Sequence, residues 1–190
     1  PYLMDHSGFD SYAFLVEANG KRIIYSGDFR ETGRKRGVFK WFLNNAPKDV
    51  DALLLEGTMF GQKPGKFKTE QDIENRVVEL AKNTNNIMFL DFSPQNIDRA
   101  VSFYKASLRT KRLFVIGPYA ANVLDAVKDF GQLPHPSPDY KNIKVYFSHG
   151  ICNRLKKNGH EKLFYRFKKY IITREKISKQ RGKIMMLVRS

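Results

Sequence analysis

Two acidic residues near the start of this chain each follow an apolar run, and a histidine precedes both. Ile23-Ile24-Tyr25 leads through Ser26-Gly27 to Asp28, and Ala52-Leu53-Leu54-Leu55 leads to Glu56; His6 stands in Asp5-His6-Ser7. The apolar runs read as buried strands, which puts both acids at strand ends. A carboxylate in such a place costs free energy unless it is paired, hydrogen-bonded or bound to a metal. Asp28 can bind one metal ion or bridge two, an arrangement suited to hydrolysing phosphodiesters. His6, in a loop entering a strand, can ligate zinc through a neutral ring nitrogen. Glu56 can serve as a general acid or base, or orient a histidine from elsewhere. Each also has a plainer reading: Asp28 as a turn cap, His6 as an ordinary hydrogen-bonded histidine, Glu56 as an acceptor of backbone N–H groups.

The elements that must position these residues alternate in kind. Tyr12–Ala18 and Lys21–Tyr25 flank Asn19-Gly20, a strong hairpin signal. A short helix is expected near Phe39–Leu43 and a buried strand over Ala52–Leu55, followed by a loop at Gly61-Gln62-Lys63-Pro64-Gly65. Thr69 is expected to cap a helix, with Asp72 three residues on. Strands are then expected at Ile87–Leu90, Leu113–Ile116, Ile143–Phe147 and Ile184–Val188, with helices from Ser93-Pro94 to Leu108, over Ala120–Phe130 and over Glu161–Ile172. This alternation implies an α/β chain with a parallel sheet after a hairpin-rich beginning, with a domain boundary near residue 65.

With 190 residues the chain is long enough for one good core or two small ones. There is no run of about 18 apolar residues and no signal-peptide pattern, so a cytoplasmic protein without a membrane segment is expected. Cys152 is the single cysteine, which excludes an internal disulfide framework and a cysteine-rich zinc site. Both ends read as though cut from a longer protein. The net charge is +15, and residues 151–190 hold 13 Lys or Arg against 2 Asp or Glu, giving 13 − 2 = +11. Phe164, Tyr165, Phe167 and Tyr170 are interleaved with these cations, a mixture suited to phosphate backbones and bases. A solvated basic helix face accounts for the same pattern.

Taken together, the motifs resemble the metallo-β-lactamase superfamily, and within it the β-CASP branch of ribonuclease J-like, RNA-processing metallo-hydrolases. Asp5-His6-Ser7 looks like the third family motif, Ser26-Gly27-Asp28-Phe29-Arg30 like the fourth, and Leu55-Glu56-Gly57-Thr58 like β-CASP motif A. Ser93-Pro94-Gln95-Asn96-Ile97-Asp98-Arg99 resembles a helix-start stretch of the β-CASP insertion. The resemblance implies a partial αββα sandwich over residues 1–65 and a β-CASP-like α/β domain over 66–190. It implies two zinc ions in the intact protein, with His6 and Asp28 as metal ligands and Asp28 and Glu56 as the residues nearest the chemistry. The implied substrate is nucleic acid, RNA before DNA.

The chain departs from the family pattern in ways that bear on activity. The main metal motif, His-x-His-x-Asp-His, is absent, and His135, His149 and His160 lack the context of the motif B and C histidines. The expectation is therefore half of a metal site, inert by itself. A hydrolase of a small ester or thioester, or a binding module without metal, would carry the same residues. A monomer and a homo-oligomer both stay open.

Overall fold

The computed structural model describes residues 1–61 and 68–188. The chain is a mixed α/β protein with one parallel sheet, and it divides into two compact units, Pro1–Asp72 and Ile73–Ser190. The expected boundary at residue 65, and most of the loop Gly61–Gly65, lie outside the described residues.

The first unit is a four-stranded sheet and one helix. Strands β1 (Tyr2–Leu3), β2 (Tyr12–Ala18), β3 (Lys21–Tyr25) and β4 (Ala52–Leu54) lie side by side in that order. β1–β2 and β2–β3 are antiparallel, whereas β3–β4 are parallel. Asn19 and Gly20 turn the hairpin at φ 50° and 72°, the left-handed pair that a tight two-residue turn requires. Helix α1 (Arg36–Asn45) extends beyond the expected Phe39–Leu43. It buries Phe42 against Met4, Ala13 and Ile24, with Tyr2, Leu15 and Phe39 packed around them.

The other face of this sheet corrects the expectation that both apolar runs are buried. The register sets Phe14 opposite Tyr25 and Tyr25 opposite Leu54, in one row across three strands. Tyr25 is 52% and Leu54 54% exposed, and Phe14, Val16, Leu53 and Leu55 are exposed as well. Of the run Ile23-Ile24-Tyr25, Ile24 alone is buried. Alternation explains Phe14, Val16, Tyr25 and Leu54, because a strand's neighbouring side chains take opposite faces and α1 covers one face only. Leu53, paired with Ile24, lies on the α1 side and is exposed because the core under α1 does not extend to β4.

The second unit is a parallel sheet with the order β5 (Met88–Leu90), β8 (Ile184–Leu187), β6 (Leu113–Ile116) and β7 (Ile143–Val145). Phe114, Val115, Ile143, Val145, Ile184 and Met185 are all fully buried. That burial accounts for near-continuous apolar strands in place of alternating ones. Helix α2 (Glu70–Lys82) starts as expected: Thr69 Oγ1 accepts the Asp72 amide at 3.2 Å, and Asp72 Oδ2 accepts the Thr69 amide at 2.9 Å.

Several expected bounds move. Helix α3 (Ile97–Arg109) starts after Ser93-Pro94, because Asn96, whose side chain accepts from the Arg99 amide, is the cap. Helix α4 (Pro118–Ala126) takes Pro118 as its first residue and gives way to a 3-10 turn at Lys128–Phe130. β7 stops at Val145, short of Phe147. The expected helix over Glu161–Ile172 is α6 (Lys162–Phe167) with a 3-10 turn at Lys168–Tyr170, after which Ile171 makes an isolated parallel bridge to Val145. Two helices escaped the sequence reading: α5 (His149–Lys157), capped by Ser148, and α7 (Arg174–Lys179), capped by Thr173. No helix among the described residues is long and apolar enough to cross a membrane.

Candidate functional site

His6, Asp28 and Glu56 all belong to the first unit, and backbone pairing brings their loops together. The Met4 amide donates to the Ser11 carbonyl at 2.8 Å, which closes the loop that carries His6. The Arg30 amide donates to the Asp5 carbonyl at 2.7 Å, and this draws the loop after Asp28 onto the same segment. Phe29 stacks on Phe39 of α1, with ring centroids 5.2 Å apart, so the residue after Asp28 is anchored in the core. The parallel pairing of β3 with β4 places Glu56 alongside: the Ser26 amide donates to the Leu54 carbonyl at 2.9 Å.

At the centre, His6 Nε2 lies 3.9 Å from Asp28 Oδ2. The Asp28 side chain is 71% exposed and the His6 side chain 31%, so the pair opens to solvent. On its other side the His6 ring meets the Gly8 amide, which donates to Nδ1 at 3.2 Å, and the Ser11 hydroxyl, 3.3 Å from Nδ1. The Ser11 hydroxyl is also within 3.3 Å of the Gly8 carbonyl, to which it donates. One arrangement leaves Nδ1 as acceptor of the Gly8 N–H. Another runs Nδ1–H to Ser11 and Ser11 to Gly8, leaving the Nε2 lone pair facing Asp28. Only the second suits metal ligation through Nε2.

Glu56 is held differently. Its Oε1 accepts the Thr58 amide at 2.5 Å. The Thr58 hydroxyl first, and the Thr58 amide next, hold its carboxyl below the usual glutamate range, and positive charge at His6 adds to the effect. Glu56 is therefore ionised at neutral pH. That favours the role of a base or orienting acceptor over that of a proton donor.

Beneath this surface lies a set of residues the sequence reading passed over. Asp5 is fully buried; its Oδ2 accepts the Gly33 amide at 3.0 Å, and Oδ1 lies 3.7 Å from Arg30 Nε. Arg30 Nη1 is in turn 3.9 Å from Glu70 Oε1, another buried carboxylate. Buried Ser26 donates to the Gly27 carbonyl and accepts from the Glu56 amide. Gly27 has φ +56°, and a Cβ there would stand 2.8 Å from the Tyr12 carbonyl oxygen, so no other residue fits without strain. Asp5 and Ser26 lie inside the motifs already quoted, but their types alone do not distinguish a support from a ligand.

The fit to zinc is partial. Two donors of one tetrahedral zinc ion, each at about 2.1 Å, stand about 3.4 Å apart. The 3.9 Å pair of His6 and Asp28 is slightly wider and faces open space. Among the described residues no group of three or more His, Cys, Asp or Glu is placed to hold a metal ion. His135 is engaged elsewhere, with Nδ1 2.9 Å from the Leu133 carbonyl and its ring against Tyr140; His149 opens α5 and His160 follows it, all three in the second unit. His6 and Asp28 are thus two candidate donors that no third His, Cys, Asp or Glu joins among the described residues.

No family model and no curated protein matches the chain. Among solved structures it is similar to a crystal structure of a protein of unknown function from Enterococcus faecalis V583, with a TM-score of 0.68 and 21% identity. The match covers 98% of this chain and 40% of that one, so the chain spans less than half the length of its solved neighbour. At this identity the likeness extends to the fold.

Proposed function

We propose that this chain is part of a zinc-dependent phosphodiesterase of the β-CASP type, acting on nucleic acid and on RNA in particular. The observation that carries the reading is the opposition of His6 Nε2 and Asp28 Oδ2 at 3.9 Å, in a solvent-open site whose neighbour Glu56 is ionised. His6 and Asp28 are the residues that would hold metal. Zinc bound there supplies Lewis-acid activation of a phosphodiester and of the attacking water. His6 presents the Nε2 lone pair in the tautomer whose Nδ1–H donates to the Ser11 hydroxyl. Glu56, kept charged by Thr58, accepts a proton or orients a protonated group beside the reacting phosphate.

Two further observations support the reading. The outward apolar row Phe14, Tyr25 and Leu54 is the kind of face on which a second sheet packs, as the partial αββα sandwich requires. The second unit holds 23 Lys or Arg against 9 Asp or Glu, so 23 − 9 = +14 of the +15 charge sits there, as a polyanionic substrate demands. A small ester or thioester gives no reason for that asymmetry.

The test is Asp28→Ala in the whole protein of which, on this reading, residues 1–190 are a part. Hydrolysis of single-stranded RNA should be abolished and bound zinc should fall. Unchanged turnover with unchanged zinc overturns the assignment. A parent protein that cleaves small esters and binds RNA no better at low salt than at high salt overturns the substrate.

A further inference from the structure

The second unit carries a two-lobed groove outside the carboxyl ends of its parallel strands, a place where ligands of such sheets bind. One lobe, about 260 Å³, lies between α4, α5 and α6 and is lined by Pro118, Tyr119, Ile151, Arg154 and Leu163. The other, also about 260 Å³, lies at the strand ends and is lined by Gly117, Tyr146, Ser148, Arg154 and Leu187. Ile151 and Arg154 belong to both, so the lobes meet at Arg154. Each lobe has one tyrosine. Tyr119 is 44% exposed, and its hydroxyl accepts from Gln95 Nε2 at 3.0 Å, which ties it to the loop after β5. On the same helix Asn122 is held by Arg166, which donates to its Oδ1 at 3.0 Å.

We propose that this groove is a binding site for single-stranded RNA, taking one base in each lobe with the intervening phosphate at Arg154. Resting on the nucleic-acid reading above, it names the surface that holds the strand. Three features select this occupant. The lobes are apolar with one aromatic ring each, which suits an unstacked base and is too small for a duplex. An exposed cation, Arg154, lines both lobes where they meet, where consecutive bases place a phosphate. The unit around them carries nearly all of the chain's positive charge. A protein partner would leave both the central cation and that charge without a role.

The experiment uses this chain and a fluorescein-labelled oligouridine of about ten nucleotides, a length matched to single-strand site sizes. Anisotropy is read over a salt series. Tyr119→Ala should weaken binding about tenfold with the salt slope unchanged, while Tyr119→Phe, which keeps the ring, should bind like the parent. Arg154→Gln should weaken binding and lower the magnitude of the slope by about 0.7, one phosphate's share. Lys179→Gln, beside Asn85 and Asn86 at the opposite end of the sheet, should do neither. The proposal is overturned if Tyr119→Ala binds like the parent, if Lys179→Gln matches Arg154→Gln, or if oligouridine fails to bind at low salt. Those outcomes leave zinc content and hydrolysis at Asp28 to decide the phosphodiesterase reading separately.

Discussion

The Ser26 hydroxyl accepts the Glu56 amide at 3.1 Å and donates to the Gly27 carbonyl at 2.8 Å. One buried side chain thereby joins the two strand ends that carry Asp28 and Glu56. Ser26→Ala leaves the Glu56 amide without this acceptor, and a partly buried donor so stranded costs about 1–2 kcal/mol. Urea unfolding followed by circular dichroism should show that loss. Ser26→Ala as stable as the parent would mean that the hydroxyl contributes nothing to the alignment of the two loops.

Glu56 gives the site a pH dependence whose sign is fixed. Its folded-state value lies below the ordinary one, so the ordering it provides is complete above the unfolded-state value and is lost as pH falls through the folded-state value. The first cause is the Thr58 hydroxyl, and Thr58→Val removes it while keeping the backbone donor. A carbon-13 titration of the Glu56 carboxyl should show the value rising toward, without reaching, the ordinary glutamate range. A titration curve identical to that of the parent would assign the whole effect to the backbone.

The sequence made the local elements legible where turn chemistry and periodicity agree. Asn19-Gly20 fixed the hairpin, Thr69 with Asp72 fixed the start of α2, and four apolar runs fixed the parallel sheet. It misled where one residue outweighed its neighbours: Pro94 looked like a first helical residue, but Asn96 makes the capping bond. The basic stretch 149–179 hid α5 and α7, because its charges mask any apolar stripe. For the site, residue types singled out His6, Asp28 and Glu56 as candidates, and the fold places His6 and Asp28 side by side. Asp5, Ser11 and Ser26 act through tertiary hydrogen bonds, and such partners leave no local signal in a single sequence. The exposure of Leu53 and Leu54 was hidden for a related reason, since an apolar strand reads alike whether or not something covers it.

Arg112 holds the amino-terminal edge of the parallel sheet. It is buried, and its guanidinium donates to the Asn86 carbonyl at 2.9 Å, the Ala81 carbonyl at 3.1 Å, the Ile184 carbonyl at 3.4 Å and the Thr84 carbonyl. It thus satisfies carbonyls at the end of α2 and at the starts of β5 and β8 with one planar fork. Arg112→Met strands several buried acceptors and should destabilise the second unit by about 3 kcal/mol. Arg112→Lys should recover less than half of this, because an ammonium cannot reach divergent acceptors together. Thermal unfolding decides it: a lysine variant as stable as the parent would show that charge alone suffices.

The apolar row Phe14, Tyr25 and Leu54 makes a last prediction about the chain in isolation. Contiguous exposed apolar side chains on a sheet face favour association, because their burial is worth about 25 cal/mol per Å². The chain alone should therefore associate as its concentration rises, and should bind a dye that reports apolar surface. Val16→Lys with Leu54→Lys puts two cations on that face and should restore the monomer. Since both side chains are exposed, the cost in folding stability should stay within about 0.5 kcal/mol. Sedimentation velocity reads the first effect and thermal unfolding the second. A parent chain that stays monomeric and binds no dye would show that the face has no need of a cover, and would remove that support from the sandwich reading. A double variant that unfolds would show instead that these side chains already hold the sheet together.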